Sequence, residues 1–336
     1  MKGITLGYFL RRLGIFFLTI WIAATLIYII PRLAPGDPIT AMVSRMSQQA
    51  GYIENSDLII EGWRKRFGLD DPWYIQYFRY LKNLAAFDFG YSIASFPTTV
   101  KEIVTRAMPW TIGLLTISIA LFFFIGNLFG ALLAWKKTPA FLKFLIPVSM
   151  IFTSVPALLA GLILLYIFAF KLNMFPSIGS YGRGVQPGWD WGFVRSVLWH
   201  GMLPVFSIVV VTFGYWTLGM RGMMVTVEGE DYMTLAQAKG LNPFYSLYRY
   251  MIRNAILPQI TALALALGTA VGGQIVVEYI FAYRGMGTAI FSAIRNQDYP
   301  VIQGATFVLV FTTALAVFIL DMLYPLIDPR ISHEGR

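Results

Sequence analysis

Residues 228–258 read EGEDYMTLAQAKGLNPFYSLYRYMIRNAILP, a polar interruption between two long apolar runs. Asp231 is placed to act as N-cap of a short helix over residues 232–239, and Gly240 to end that helix at C′. Asn242 and Pro243 then restart the chain as N-cap and first helical residue. Phe244, Leu247, Tyr248 and Met251 follow at the i, i+3, i+4, i+7 spacing of one apolar face. Leu257 and Pro258 close the segment before the next apolar run. The pattern predicts two short helices at an angle, a knuckle standing outside a bilayer.

Composition explains why a bilayer is invoked. The chain is 57% hydrophobic and 13% charged, whereas soluble domains carry roughly 25% charged residues. A net charge of +9 would suit a nucleic-acid binder, but the basic residues are scattered along the chain instead of massed in one patch. Membrane topology signals and anionic lipid headgroups account for them, and no nucleic-acid partner is expected. With 0 cysteines, disulfides, thiol catalysis and Cys-based metal sites are excluded. The 2 histidines, His200 and His333, stand in no metal-ligand spacing.

Crossing the hydrocarbon core takes about 20 apolar residues. Six stretches free of Asp, Glu, Lys and Arg meet that need: residues 13–30, 107–135, 144–170, 196–220, 254–277 and 299–320. The expected fold is therefore an all-α integral membrane protein with six transmembrane helices. Arg11 and Arg12 before the first run would also fit a signal peptide, but the run is long for one and no small-residue cleavage site follows. Pro31, Pro35 and Pro38 read instead as a rigid exit turn after an uncleaved span. Lys and Arg in the short loops (Lys2, Arg11, Arg12; Lys136, Lys137, Lys143; Arg221, Lys239, Arg249, Arg253) place both termini and the knuckle in the cytoplasm. The long stretch 31–106 escapes that rule and reads as a small outside domain with helices near residues 56–67 and 73–84. Asp70 and Asp71 there look like a helix-capping turn. A second outside loop, residues 171–195, holds 5 glycines, 2 prolines and 2 tryptophans. The expected organisation is residues 1–30 as a first helix, 31–106 as the outside domain, 107–325 as a five-helix core, and 326–336 as a cytoplasmic tail.

In the fifth span, Ala264, Gly268 and Gly272, and likewise Ala262, Ala266 and Ala270, recur every fourth residue. Such repeats let helices approach closely in lipid, within one subunit or against a second. Polar groups at membrane depth are costly and often functional. Asn127, Gln274 and Glu278 are candidates for a translocation path or outer gate; Asp321, near the inner end of the sixth span, reads as structural. None forms the carboxylate relay of a proton-driven carrier. There is no phosphate-binding loop and no Gly-Lys dipeptide, and Gly285 with Gly287 is only a turn. No acid, base or nucleophile constellation marks an enzyme. An energy source outside the chain is the expectation, with an ion-coupled carrier or channel, a membrane enzyme or an exporter half as alternatives.

The chain resembles the membrane-spanning permeases of ABC importers, in the dipeptide/oligopeptide branch. The matching phrases run nearly its whole length: FLRRLG and LAPGDP (33–38), FGLDDPWYIQYFRYL (67–81), FGYS (89–92), FPSIG (175–179), DYMTLAQAKGL (231–241), RNAILP (253–258), VVEYIF (276–281), DYPVIQG (298–304) and DPR (328–330). The resemblance implies a coupling helix that docks on an ATP-binding subunit. Thr234, Leu235 and Ala236 occupy the positions of the family's Glu-Ala-Ala and Gly240 those of its glycine, so the initial glutamate is absent here. The residues implied in coupling are Asp231, Tyr232, Ala236, Ala238, Lys239, Gly240, Leu241, Phe244, Leu247 and Tyr248. Implied partners are two ABC ATPase subunits carrying ATP and Mg, a second permease (a paralogue), an extracytoplasmic solute-binding protein and membrane lipid; the chain itself needs no cofactor. Implied cargo is an oligopeptide or, as in some members of the branch, an oligosaccharide, and the implied location is a prokaryotic inner membrane.

Overall fold

A computed structural model describes residues 6–33, 39–40, 43, 60–62, 64–65 and 70–327, with the side chains of 264–265, 267–273 and 324–327 outside that description. The described chain is helical, and its one β-type pairing is an isolated antiparallel bridge between Tyr91 and Thr99. The helices begin with α1 (Leu6–Leu33), α2 (Trp73–Ala85) and α3 (Val100–Ala134). A 3-10 turn at Ala140–Phe144 leads into α4 (Leu145–Ser154), and α5 (Ala157–Leu164) continues as a π-helical stretch at Leu165–Lys171. Then come α6 (Trp191–Glu228), α7 (Asp231–Ala238) and α8 (Pro243–Ser246), which runs through a π-helical stretch at Leu247–Ile252 into α9 (Arg253–Ile280). Helices α10 (Met286–Arg295) and α11 (Tyr299–Ile327) complete the order.

Among the described residues four helices are long and apolar enough to cross a membrane: α1, α3, α6 and the Tyr299–Leu323 part of α11. Residues 144–170 do not form the straight span expected of them. Ala140–Ser154 and Ala157–Lys171 meet at 108°, and count as one further crossing only if both arms belong to it. The cause is local: Pro156 lacks an N–H and its ring pushes the preceding residue out of the α region. Val155 accordingly sits at φ −88°, ψ 121°. Apolar composition hid that bend.

The chain divides into two compact units, one of Leu6–Pro109 with Gly285–Phe318, the other of Trp110–Arg284 with the chain from Ile319 onward. In the first unit α1 and α11 run antiparallel, as their ring pairs show: Phe9 meets Phe318 at 6.1 Å and Phe16 meets Phe311 at 6.0 Å. Helix α1 continues through Pro31 to Leu33, so the expected exit turn does not begin at Pro31; residues 34–38 lie outside the described residues. Proline at position 31 cannot donate to the carbonyl of Ile27, and the Gln303 amide donates to that oxygen instead at 3.4 Å. Helix α2 folds back along α1. Tyr28 donates its hydroxyl to the Trp73 carbonyl at 2.8 Å, the Thr25 and Tyr77 hydroxyls are 2.7 Å apart, and Leu84 packs with Ala24 and Phe307. The N-cap of α2 is Pro72, without a side-chain cap bond. Asp71 serves otherwise than expected: it pairs with Arg79 at 2.5 Å. The helix expected at residues 56–67 falls largely outside the described residues.

Asp298 organises the turn into α11. It is 2% exposed, and its carboxylate accepts from the Ser92 hydroxyl and from the backbone N–H groups of Ile93 at 3.1 Å, Ala94 at 3.1 Å and Val301 at 3.4 Å. One side chain thus caps a helix and pins a loop two hundred residues earlier in the chain. Bonds to a carboxylate contribute about 1.5–3 kcal/mol, and orphaned buried N–H groups cost further. Asp298→Ala is therefore expected to destabilise the chain by about 3 kcal/mol, read as a lower midpoint of thermal unfolding in detergent. A loss under about 1 kcal/mol would show the clamp to be ornamental.

The second unit is built on α6, whose 38 residues extend about 57 Å at 1.5 Å each. Asp190 caps its first turn, accepting from Phe193 N–H at 3.0 Å. Helix α3 lies against it through glycines: a Cβ on Gly130 would stand 2.5 Å from the Thr217 carbonyl and 2.6 Å from Met220 Cβ. Trp216 fills the space beside that crossing, stacked on Phe122 at 5.7 Å and edge-on to Phe123 at 5.1 Å. Of the small-residue repeat in α9, Ala262 and Ala266 pack inward on the cluster of Leu114, Val205, Val209 and Trp216. Gly268, Gly272, Ala264 and Ala270 lie outside the described side chains.

Candidate functional site

The hairpin between α6 and α9 differs from its expected form at both ends and agrees with it in the middle. Glu230, not Asp231, is the N-cap of α7, with φ −76° and ψ 147° and no side-chain cap bond. Asp231 is the first helical residue, where its carboxylate still meets the positive end of the helix dipole. The turn that follows is as the sequence implies. Gly240 adopts φ +68°, Gly240 N–H donates to the Gln237 carbonyl at 2.9 Å and Leu241 N–H to that of Ala236 at 3.2 Å. That bond pair is a Schellman turn, which needs a left-handed residue at C′. Asn242 then accepts from Phe244 N–H at 2.9 Å with Pro243 in the first turn.

The second arm is not a short helix closed by Leu257 and Pro258. It runs from Pro243 through the π-helical stretch into α9, with Pro258 inside the helix. Proline is tolerated in a membrane helix where neighbours hold the backbone in place, and here Gln259, 5% exposed, lies against Gly219 of α6. The second arm of the hairpin is thus continuous with α9.

Burial sorts its side chains into two sets. Met233, Ala236, Leu247 and Met251 turn inward and join Ala131, Met220, Met224 and Ala255 in one cluster. Tyr232, Leu235, Phe244, Tyr245 and Tyr248 stay 36%, 55%, 66%, 50% and 66% exposed. Asp231, Ala238, Lys239 and Gly240 are exposed beside them, and Leu241 is half-buried. Of the residues that the family resemblance implies in coupling, Ala236 and Leu247 therefore anchor the hairpin, and the rest are exposed or half-buried. The expected single apolar face of Phe244, Leu247, Tyr248 and Met251 splits in two. A π-helix closes its bonds at i→i+5, so the α-helical spacing rule misassigns one of its flanks. Phe244 remains tethered by an edge contact with Trp135 at 6.5 Å, next to Lys136, which pairs with Glu228 at 2.8 Å.

The intramembrane polar candidates do not converge. Gln274 donates to the Thr111 carbonyl at 2.7 Å and to Glu278 at 2.9 Å, and both side chains are essentially fully buried. Asn127 lies about 24 Å further along α3 than Thr111 at 1.5 Å per residue, and donates to the Phe123 carbonyl at 2.7 Å. Around the Gln274 pair stand residues the sequence did not single out. Trp110 is stacked on Tyr181 at 5.7 Å and edge-on to Tyr283 at 5.9 Å, while Arg284 lies over the Tyr181 ring at 4.3 Å and donates to its hydroxyl at 2.6 Å. Burial, reinforced by nearby Glu278, pushes the Tyr283 phenol up to about 12, so it remains neutral at physiological pH. Such aromatic pairings carry no sequence periodicity, which is why they were illegible. No group of His, Cys, Asp and Glu that would hold a metal occurs among the described residues.

Long apolar helices define a polytopic membrane protein. The family model described as binding-protein-dependent transport system inner membrane component matches residues 126–333, and the chain belongs to that family, in its dipeptide/oligopeptide ABC importer branch. It is 31% identical to the oligopeptide transport system permease protein AppB of Bacillus subtilis over 91% of this chain and 93% of that one. It is 30% identical to the glutathione transport system permease protein GsiC of Escherichia coli over 98% of this chain and 100% of that one. A probable peptide ABC transporter permease of Sinorhizobium fredii is 31% identical over 97% and 99%. The family is one of inner-membrane transport permeases, not enzymes.

Proposed function

We propose that this chain is one permease of an ATP-driven importer and that its α7–α8 hairpin is the surface through which ATPase subunits drive it. The observation that carries this reading is the pairing of a buried anchor, Met233, Ala236, Leu247 and Met251, with an uncovered apolar face, Tyr232, Leu235, Phe244, Tyr245 and Tyr248. Exposed aromatic patches on an anchored element mark protein interfaces and supply their hot spots. Lys239 and Asp231 at its rim orient the partner.

In this reading α9 and the bent α4–α5 pair complete six crossings, both termini and the hairpin face the cytoplasm, and residues 31–106 lie outside. ATP and Mg bind on two separate subunits; their closure draws the hairpins of this chain and of a second, paralogous permease together. The spans then shift between inward- and outward-open packings, a population shift between two states. Gln274, which donates to the Thr111 carbonyl of α3, and its partner Glu278 form the outer gate in this reading. A solute-binding protein delivers the cargo. The relatives are named for oligopeptides and glutathione, which favours a peptide over an oligosaccharide. Reconstitution tests the whole: proteoliposomes with both permeases, the ATPase subunits and the binding protein should take up the peptide found on that binding protein only with Mg-ATP. Flux through this chain alone, without ATPase subunits, would instead mean a channel or ion-coupled carrier.

A further inference from the structure

The chain has 14 methionines in 336 residues, yet four of the seven buried members of the cluster behind the hairpin are methionine: Met220, Met224, Met233 and Met251. Met223 packs against the same cluster. They come from three segments, α6, α7 and the π-helical stretch, so the concentration is not one helix's repeat. Met220, Met224, Met233 and Met251 are each 5% exposed or less. Leucine would fill a static core with better-defined rotamers. Methionine is unbranched, with three rotatable bonds, and lets facing surfaces repack without opening voids. The π-helical stretch adds a second irregular element, and π-turns inside α-helices recur at functional sites.

We propose that Met220, Met224, Met233 and Met251 form a deformable seat on which α7 shifts against α6 during the transport cycle, making them positioning residues for coupling. Met233 moves with the docking face, Met220 and Met224 stay with α6, and Met251 lies at the joint with α9. The seat turns a pull on Leu235 and Phe244 into a new packing instead of tearing α7 from its support. The proposal rests on the docking reading above.

Because the native chain has 0 cysteines, nitroxide labels can be placed on Val225→Cys of α6 and Gln237→Cys of α7, both exposed. The assembled complex in lipid nanodiscs is measured by pulsed electron paramagnetic resonance without nucleotide and after trapping with Mg-ATP and vanadate. The labelled parent should shift its inter-label distance by about 2 Å or more between the two states, the scale of known helix shifts. Replacing all four methionines by leucine, a near-isosteric change that cores tolerate, should abolish at least half of that shift with the thermal midpoint held within about 4 °C. An unchanged shift in the fourfold variant overturns the proposal, as does a parent that shows no shift. If the fourfold variant is unstable, Met233→Leu alone is read by the same criterion. Retention of the ATPase subunits on the parent and their loss from Leu235→Asp is scored separately, so failure of the docking reading is distinguishable from failure of the seat.

Discussion

Leu235→Asp leaves the chain folded and membrane-inserted but weakens its hold on the ATPase subunits by about 100-fold or more. Leu235 is 55% exposed at the centre of the open face of the hairpin, so its replacement costs the isolated chain only about 0.5 kcal/mol. In the complex two effects add. Losing a buried leucine forfeits about 1.5–3 kcal/mol of apolar burial, and a carboxylate without a partner brings a desolvation penalty of several kcal/mol. A combined loss of about 3–5 kcal/mol is roughly two to three and a half decades in affinity. Co-purification of the ATPase subunits, with Mg-ATP hydrolysis of what remains, measures it. If the Leu235→Asp complex assembles and couples as the parent does, the hairpin is not the docking surface. Ala236, which family resemblance would also nominate, is the wrong place for this test: at 3% exposure it anchors α7, and a charge there breaks the fold before it reaches the interface.

Gly214→Val should be the most destabilising single change in the second unit. A Cβ at Gly214 would land on the Ser149 carbonyl oxygen, with Thr153 Cγ2 at 2.8 Å and the Ser149 carbonyl carbon at 3.0 Å. Two of those neighbours are backbone, which cannot rotate away, so α4 must lift from α6. Overpacking commonly costs 1–3 kcal/mol, and displacement of a whole helix puts this case at about 3 kcal/mol or more. Glycine's poor helix propensity offsets only about 1 kcal/mol. Gly113 provides the opposite case, because a Cβ there meets nothing within 4 Å. Gly113→Ala should raise stability by about 0.4–1 kcal/mol. Thermal unfolding in detergent, followed by monodisperse recovery, reads both; a Gly214 variant as stable as the parent would mean α4 does not seat there.

Much of the hairpin was legible in its residues because its signals are local. Gly240 terminates α7 since only glycine enters the left-handed region without strain, and Asn242 with Pro243 restarts the helix within four residues. The cap at the other end shifted by one position because Glu230 and Asp231 offer the backbone similar choices. Long-range features behave differently. The 108° bend inside residues 144–170 was written in Val155 and Pro156, but the uniform hydropathy of the run masked it. Neither the bond from Gln274 to the Thr111 carbonyl, 163 residues away, nor the clamp of Asp298 on Ser92 has a sequence signature.

What the sequence alone determined is chemistry that depends on composition and near neighbours: a helical membrane chain, a polar interruption with its turn at Gly240, and membership of a permease family. Only the tertiary structure decided which residues of that interruption are anchor and which are surface. Met233 and Leu235 are both apolar and two positions apart on one short helix, and nothing in their order tells them apart. The distinction arises from what α6 and α9 place behind α7, and burial against a distant segment is a property of the packed chain.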